Sequence, residues 1–152
     1  MRSLFIAALF AAAPALASED IADQYPGSLL YSKPVEFIPG IWSAIGATAP
    51  PTYENAGHNN NLSFIVTGEG VVVINGGASY GLAKALHDEI KAITDQSVTH
   101  VFNENGQGHA MLGNSYWVEQ GVPVIAHEDA LHEIERYGGS SLEAARRVTK
   151  ER

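Results

Sequence analysis

The sequence contains no cysteine. That removes disulfides, thiolate zinc sites, iron–sulfur clusters and cysteine nucleophiles together. Basic residues are scarce: nine Lys+Arg stand against 17 Asp+Glu, a formal net charge of -8. An acidic chain is poorly matched to a nucleic-acid backbone or an anionic membrane surface, whose affinity for proteins comes from Lys and Arg. Long hydrophobic runs are missing after the first residues, so no membrane anchor is expected beyond them. Internal repeats and low-complexity tracts are absent as well. What remains is 45% hydrophobic and 17% charged over 152 residues, a globular balance with room for one domain.

The N-terminus has the three-part grammar of a secretory signal. Arg2 gives a positive n-region, residues 4–13 form an apolar run, and Ala15 and Ala17 place small residues at -3 and -1 of a cleavage site. The run is too short to cross a bilayer, which needs about 20 apolar residues. The expectation is a signal peptide over 1–17, cleaved to release a periplasmic or secreted protein of bacterial type. Residues 18–34 read as an extended lead-in, and 35–152 as the folded domain.

Within that domain, periodicity and turn residues outline the elements. Residues 35–37 and 41–45 are short strands joined by Pro39-Gly40. A Pro- and Gly-rich loop covers 46–60. Residues 62–67 and 71–74 form a hairpin, the second strand apolar throughout, as for a strand buried on both faces. Leu82, Ala85, Leu86, Ile90 and Ile93 recur at helical spacing, predicting a helix over 80–94 with His87 on its polar side. A strand over 98–102, a glycine-rich loop over 103–108, a short helix within 110–120 and a strand over 122–126 follow. Residues 128–137 read as a helix carrying His132 on its polar side and stopped by Gly138-Gly139. Ser140 and Glu143 have the spacing of a capping box for a last helix over 141–150. Strands first, then strands alternating with helices, give an α/β layered fold with a mixed sheet.

The stretch from Asn61 to His127 resembles the first half of the metallo-β-lactamase-fold hydrolases. The resemblance is carried by 61–66 followed by 70–74 as an opening hairpin, and by Asn75-Gly76-Gly77 where the family turns into a helix after an Asp-Thr-Gly-like sequence. It continues in 89–94 and 98–102 as the helix and strand leading to the metal motif. Gly108-His109-Ala110-Met111-Leu112-Gly113-Asn114 resembles the end of that motif, and 121–127 the strand beyond it. The fold implied is half of an αββα sandwich, a mixed sheet flanked by helices, with one apolar sheet face needing cover.

The resemblance also implies a chemistry. The family's motif, His-x-His-x-Asp-His, holds two zinc ions, and water held between them attacks a carbonyl or phosphoryl group. Here the aligned residues are Glu104-x-Gly106-x-Gly108-His109. His109 keeps its ligand type and Glu104 offers an oxygen, so these two are the candidate ligands for zinc or another divalent metal. Gly106 and Gly108 have no side chain to coordinate with. Asn75 replaces the family's Asp in supporting the site, and an amide accepts no charged hydrogen bond as a carboxylate does. The family's downstream half supplies a further His, a bridging Asp and a last His, whereas the only later His here is His132. The resemblance thus implies a chain truncated against the family, which does not assemble the usual dinuclear site alone.

The residues alone offer other groupings. His58 and His127 with His109 form an alternative metal set, without i, i+4 spacing to support it. Gly106, Gln107 and Gly108 form a candidate ligand loop, its backbone N–H groups serving as donors to an anion. Glu54, Glu104 and Glu119 are candidate members of a carboxylate pair. Tyr53, Tyr116 and Trp117 line either a pocket or the core. Two functional readings follow. The first is an exported, hydrolase-like protein with a substituted metal site and reduced or no hydrolytic activity. The second is a non-catalytic interaction or ligand-binding half-domain, pairing with itself or another protein through the exposed sheet face.

Overall fold

The computed structural model describes residues 25–150. The signal peptide over 1–17 and the start of the lead-in lie outside the described residues. The element order is β1 (Val35–Ile38), β2 (Ile41–Ala44), β3 (Leu62–Val66), β4 (Val71–Ile74), α1 (Tyr80–Ile93), β5 (Val98–Asn103), α2 (Gly108–Met111), α3 (Asn114–Glu119), β6 (Val124–Ala126) and α4 (Glu128–Thr149). Among the described residues, no helix is long and apolar enough to cross a membrane.

The six strands form one sheet in the order β1-β2-β3-β4-β5-β6. The first four pair antiparallel, β1 with β2 and β3 with β4 through short turns and β2 with β3 through the long loop over 45–61. β5 and β6 add parallel to β4. Parallel neighbours need a crossover, and α1 provides it between β4 and β5. The mixed sheet expected from the residue pattern is therefore present.

The sheet's two faces differ sharply. Pairing Trp42 with Phe64, Ala44 with Leu62 and Phe64 with Val73 sets one register of apolar side chains, continued by Val101. Trp42 and Phe64 stack, 6.1 Å between ring centroids and 2° between planes. Against this face pack Leu82, Leu86 and Ile90 of α1, and Tyr116 and Trp117 of α3. Ser79 caps α1, its hydroxyl accepting the Leu82 amide at 3.1 Å, which satisfies one otherwise orphaned donor. Burying each large side chain of this stripe contributes about 1.5–3 kcal/mol.

The opposite face carries Ile41, Ile65, Val72, Ile74, Phe102 and Ile125, by the same register. Ile41, Phe102 and Ile125 remain 37%, 40% and 39% exposed. The expectation of a β4 buried on both faces is accordingly corrected: Val71 and Val73 are buried, while Val72 and Ile74, on the opposite face, are half-buried.

Three further expectations are revised. The helices expected over 128–137 and 141–150 are one, the 22-residue α4. Gly138-Gly139 does not stop it. Two mid-helix glycines cost about 2 kcal/mol, but the helix is held at both ends. His127 Nδ1 caps the Asp129 amide, Glu128 and Asp129 lie in the first turn, and Arg146 and Arg147 lie in the last, each matching the helix dipole. Ser140 is inside the helix, its hydroxyl donating to the Tyr137 carbonyl at 2.9 Å instead of capping. The lead-in is more than an extended tail: Leu30 and Tyr31 are buried, Leu30 in the main core. His87 is half-buried rather than solvated. Its ring lies 5.2 Å from Trp117, and Nδ1 is 2.7 Å from the Tyr116 hydroxyl.

Candidate functional site

The loops that leave the C-terminal ends of β4 and β5 lie side by side, and hydrogen bonds through asparagines join them. Asn75 follows β4 with a left-handed backbone (φ 69), which Asn tolerates better than most residues. Its Oδ1 accepts the Glu104 amide at 3.1 Å. Asn103 ends β5, and its Oδ1 accepts the Gly76 amide at 3.0 Å while its Nδ2 donates to Asn114 Oδ1 at 3.1 Å. The Trp117 indole donates to the Gly76 carbonyl at 3.0 Å. A side chain on Gly76 would run into Asn114 Oδ1, so close packing of the two loops requires glycine there. Asn75 thus holds the backbone of Glu104 beside the end of β4.

Glu104 and His109 are brought together: Nε2 of His109 lies 3.8 Å from Oε1 of Glu104. Nothing else completes a ligand set. Among the described residues, no group of three or more His, Cys, Asp or Glu could hold a metal ion. The alternative histidines are dispersed. His58 is buried in the core, where Nδ1 accepts the Tyr31 amide at 2.8 Å. Burial pushes its pKa down to about 4, against the pull of the Ala44 and Asn60 carbonyls. His127 is spent on the α4 cap, and His132 is exposed beside Glu135, 3.6 Å away. Glu119 accepts the Tyr80 hydroxyl at 2.7 Å and belongs to no carboxylate pair with Glu104. Tyr116 and Trp117 are core residues, and Tyr53 is exposed.

The ligand loop meets α4, a contact that sequence reasoning missed. The Gly106 amide donates to Glu133 Oε2 at 2.9 Å. A Cβ on Gly106 would strike the Ala130 carbonyl and lie 2.6 Å from the Glu133 Cβ. A Cβ on Gly108 would lie 3.5 Å from Ser141, and one on Gly57 would lie 3.3 Å from Thr149. Three glycines thus set the depth at which α4 crosses the loops. Splitting the helix at Gly138-Gly139 hid this. In one helix, Glu133, Tyr137, Ser141, Ala145 and Thr149 share a face by their i, i+4 spacing. Between that face and the loops is a cavity of about 510 Å³.

Zinc takes three or four protein donors at such sites, each oriented by further hydrogen bonds. One imidazole and one carboxylate beside two glycines do not fit it. Where a ligand side chain would project from position 106, the helix stands instead.

No family model matches this sequence, and no curated protein matches it. Solved structures do match in fold. A metallo-β-lactamase from Erythrobacter litoralis aligns over 69% of this chain and 45% of its own, with a TM-score of 0.56 at 12% identity. The metallo-β-lactamase FIM-1 from Pseudomonas aeruginosa, solved in its mono-zinc form, aligns over 69% and 46%, with a TM-score of 0.57 at 11% identity. One from Pontibacter korlensis aligns over 67% and 46%, with a TM-score of 0.53 at 22% identity. The chain spans less than half the length of each. The fold is a partial metallo-β-lactamase fold of the α/β class, as the resemblance implies.

Proposed function

We propose that this chain, carrying a partial metallo-β-lactamase fold, is an exported relative of metal-dependent hydrolases whose metal loop has become a helix-docking and ligand-binding loop. On this reading its hydrolytic activity is reduced or absent. The observation that supports it most is Gly106 packed under α4. A metal ligand there would need the space that Ala130 and Glu133 occupy. Export rests on the N-terminal signal grammar over 1–17.

The test is a metal titration with an activity assay. Purified protein is expected to retain neither zinc nor another divalent metal at stoichiometry after dialysis, and to turn over no β-lactam or ester above the blank. Retained metal lost in His109→Ala would overturn the reading.

A second reading is favoured by a separate observation, the apolar face of Ile41, Phe102 and Ile125. Contiguous exposed apolar surface of this kind marks association sites. On this reading the domain pairs with itself or another protein through that face. Sedimentation of the purified chain tests it, since a monomer at every micromolar concentration would count against self-pairing.

A further inference from the structure

The cavity under α4 lies between the helix and the Gly106–Gly108 loop, with His109 in its lining. At about 510 Å³ it falls within the range of small-molecule sites. Its long wall is the α4 face from Glu133 to Thr149, about 24 Å at 1.5 Å per residue. The two ends of that wall differ chemically. Toward the C-terminus it presents Ala144, Ala145 and Val148, facing Ala78 and Leu112. Toward the N-terminus it presents the Glu133 carboxylate, with His109 and the Gly106–Gly108 backbone nearby.

We propose that this cavity binds a cationic amphiphile, an aliphatic chain lying along Ala144, Ala145 and Val148 with a primary ammonium head at Glu133. Three observations select that chemistry. The lining is apolar over most of its length, so a ligand gains by burying hydrocarbon, at roughly 0.8 kcal/mol per CH₂. The one carboxylate on the wall spends one hydrogen-bonding position on Gly106, and a carboxylate offers about four. The protein's net charge of -8 favours a cation and repels an anion throughout its approach. The proposal rests on the reading that the loop no longer holds metal, because zinc on Glu104 and His109 would reverse the local charge.

Binding of decylamine, decanol and decanoate, each below its micelle concentration, tests this by calorimetry on metal-free protein. Decylamine is expected to bind saturably at one per chain, decanol more weakly, and decanoate at least roughly tenfold more weakly than the amine. Glu133→Gln keeps an oxygen for the Gly106 amide, so it should erase the preference for amine over carboxylate and leave decanol binding intact. Ala145→Phe should fill the cavity and abolish binding of all three. Should that variant fail to fold, contacts between the labelled alanine methyls of α4 and the decyl chain give the same answer by NMR. No saturable binding, tightest binding of decanoate, or binding lost only when Phe102→Ser alters the sheet face would overturn the proposal. Metal content measured on the same sample separates the two claims: retained zinc removes the loop reading, whereas metal-free protein that ignores decylamine removes only the ligand.

Discussion

The Gly106 amide donates to the Glu133 carboxylate across the junction between the β5 loop and α4, at 2.9 Å. These residues are 27 positions apart, and their contact is possible because position 106 has no side chain. The same absence that deprives the loop of a metal ligand gives the helix a seat.

Gly106→Ala should therefore be far costlier than an ordinary loop substitution. The added methyl meets the Ala130 carbonyl and the Glu133 Cβ, so either the helix lifts or the loop shifts. Overpacking of this kind costs about 1–3 kcal/mol. Denaturant unfolding should show the midpoint falling, and Gly106→His should lower it further.

Gly139→Ala should act in the opposite direction. Gly139 is inside α4, and a Cβ there meets nothing within 4 Å. The substitution removes a flexible residue from a helix interior and should raise stability by up to about 1 kcal/mol. A thermal melt would check it. Gly138→Ala should gain at least as much, because its Cβ would make ordinary van der Waals contact with Ile134 and Met111 at 3.5 and 3.6 Å.

His58 should make the fold sensitive to acid. Its Nδ1 accepts the Tyr31 amide, so the ring is neutral with its proton on Nε2. Protonating Nδ1 would set two N–H groups against each other inside the core. The folded pKa, about 4, lies below the unfolded value near 6.5, so the unfolded state binds more protons between them. This contribution is fully present above about pH 6.5 and is lost as pH falls through about 4. It amounts to something on the order of 3 kcal/mol. Stability measured from pH 7 to 4 should fall more steeply in the native sequence than in His58→Gln.

Phe102→Ser with Ile125→Ser tests the sheet face. Both side chains are exposed in the single chain, so the monomer's melt should barely change. Any self-association through this face should weaken roughly tenfold or more for each anchor removed. Sedimentation equilibrium of the two proteins is the measurement.

Much of this architecture is legible in the residues because local signals agree with tertiary ones. The Leu82-Leu86-Ile90 stripe, the Pro39-Gly40 turn and the 62–67 and 71–74 hairpin each point the same way, and so does the resemblance that the solved structures support. The single α4 helix is not legible because Gly-Gly is a local stop signal, and its override comes from end caps, terminal charges and the packing of α4 against α2. Glu104 and His109 are legible in the sequence only as separate candidates; their approach to 3.8 Å goes with Asn75 and Asn103, which accept backbone amides in contacts that no spacing rule reveals. Glu133 was overlooked for a related reason: an exposed helical glutamate gains meaning only when a glycine elsewhere allows it to reach an amide.

The central claim is that the loop between Asn103 and His109 seats a helix and does not hold a metal centre. Native mass spectrometry of the purified protein, dialysed and then offered one and two equivalents of zinc, tests it most directly. The account predicts the bare chain mass before and after, with no zinc-dependent rise in melting temperature. One or two zinc ions retained per chain, and released by His109→Ala or Glu104→Ala, would contradict it.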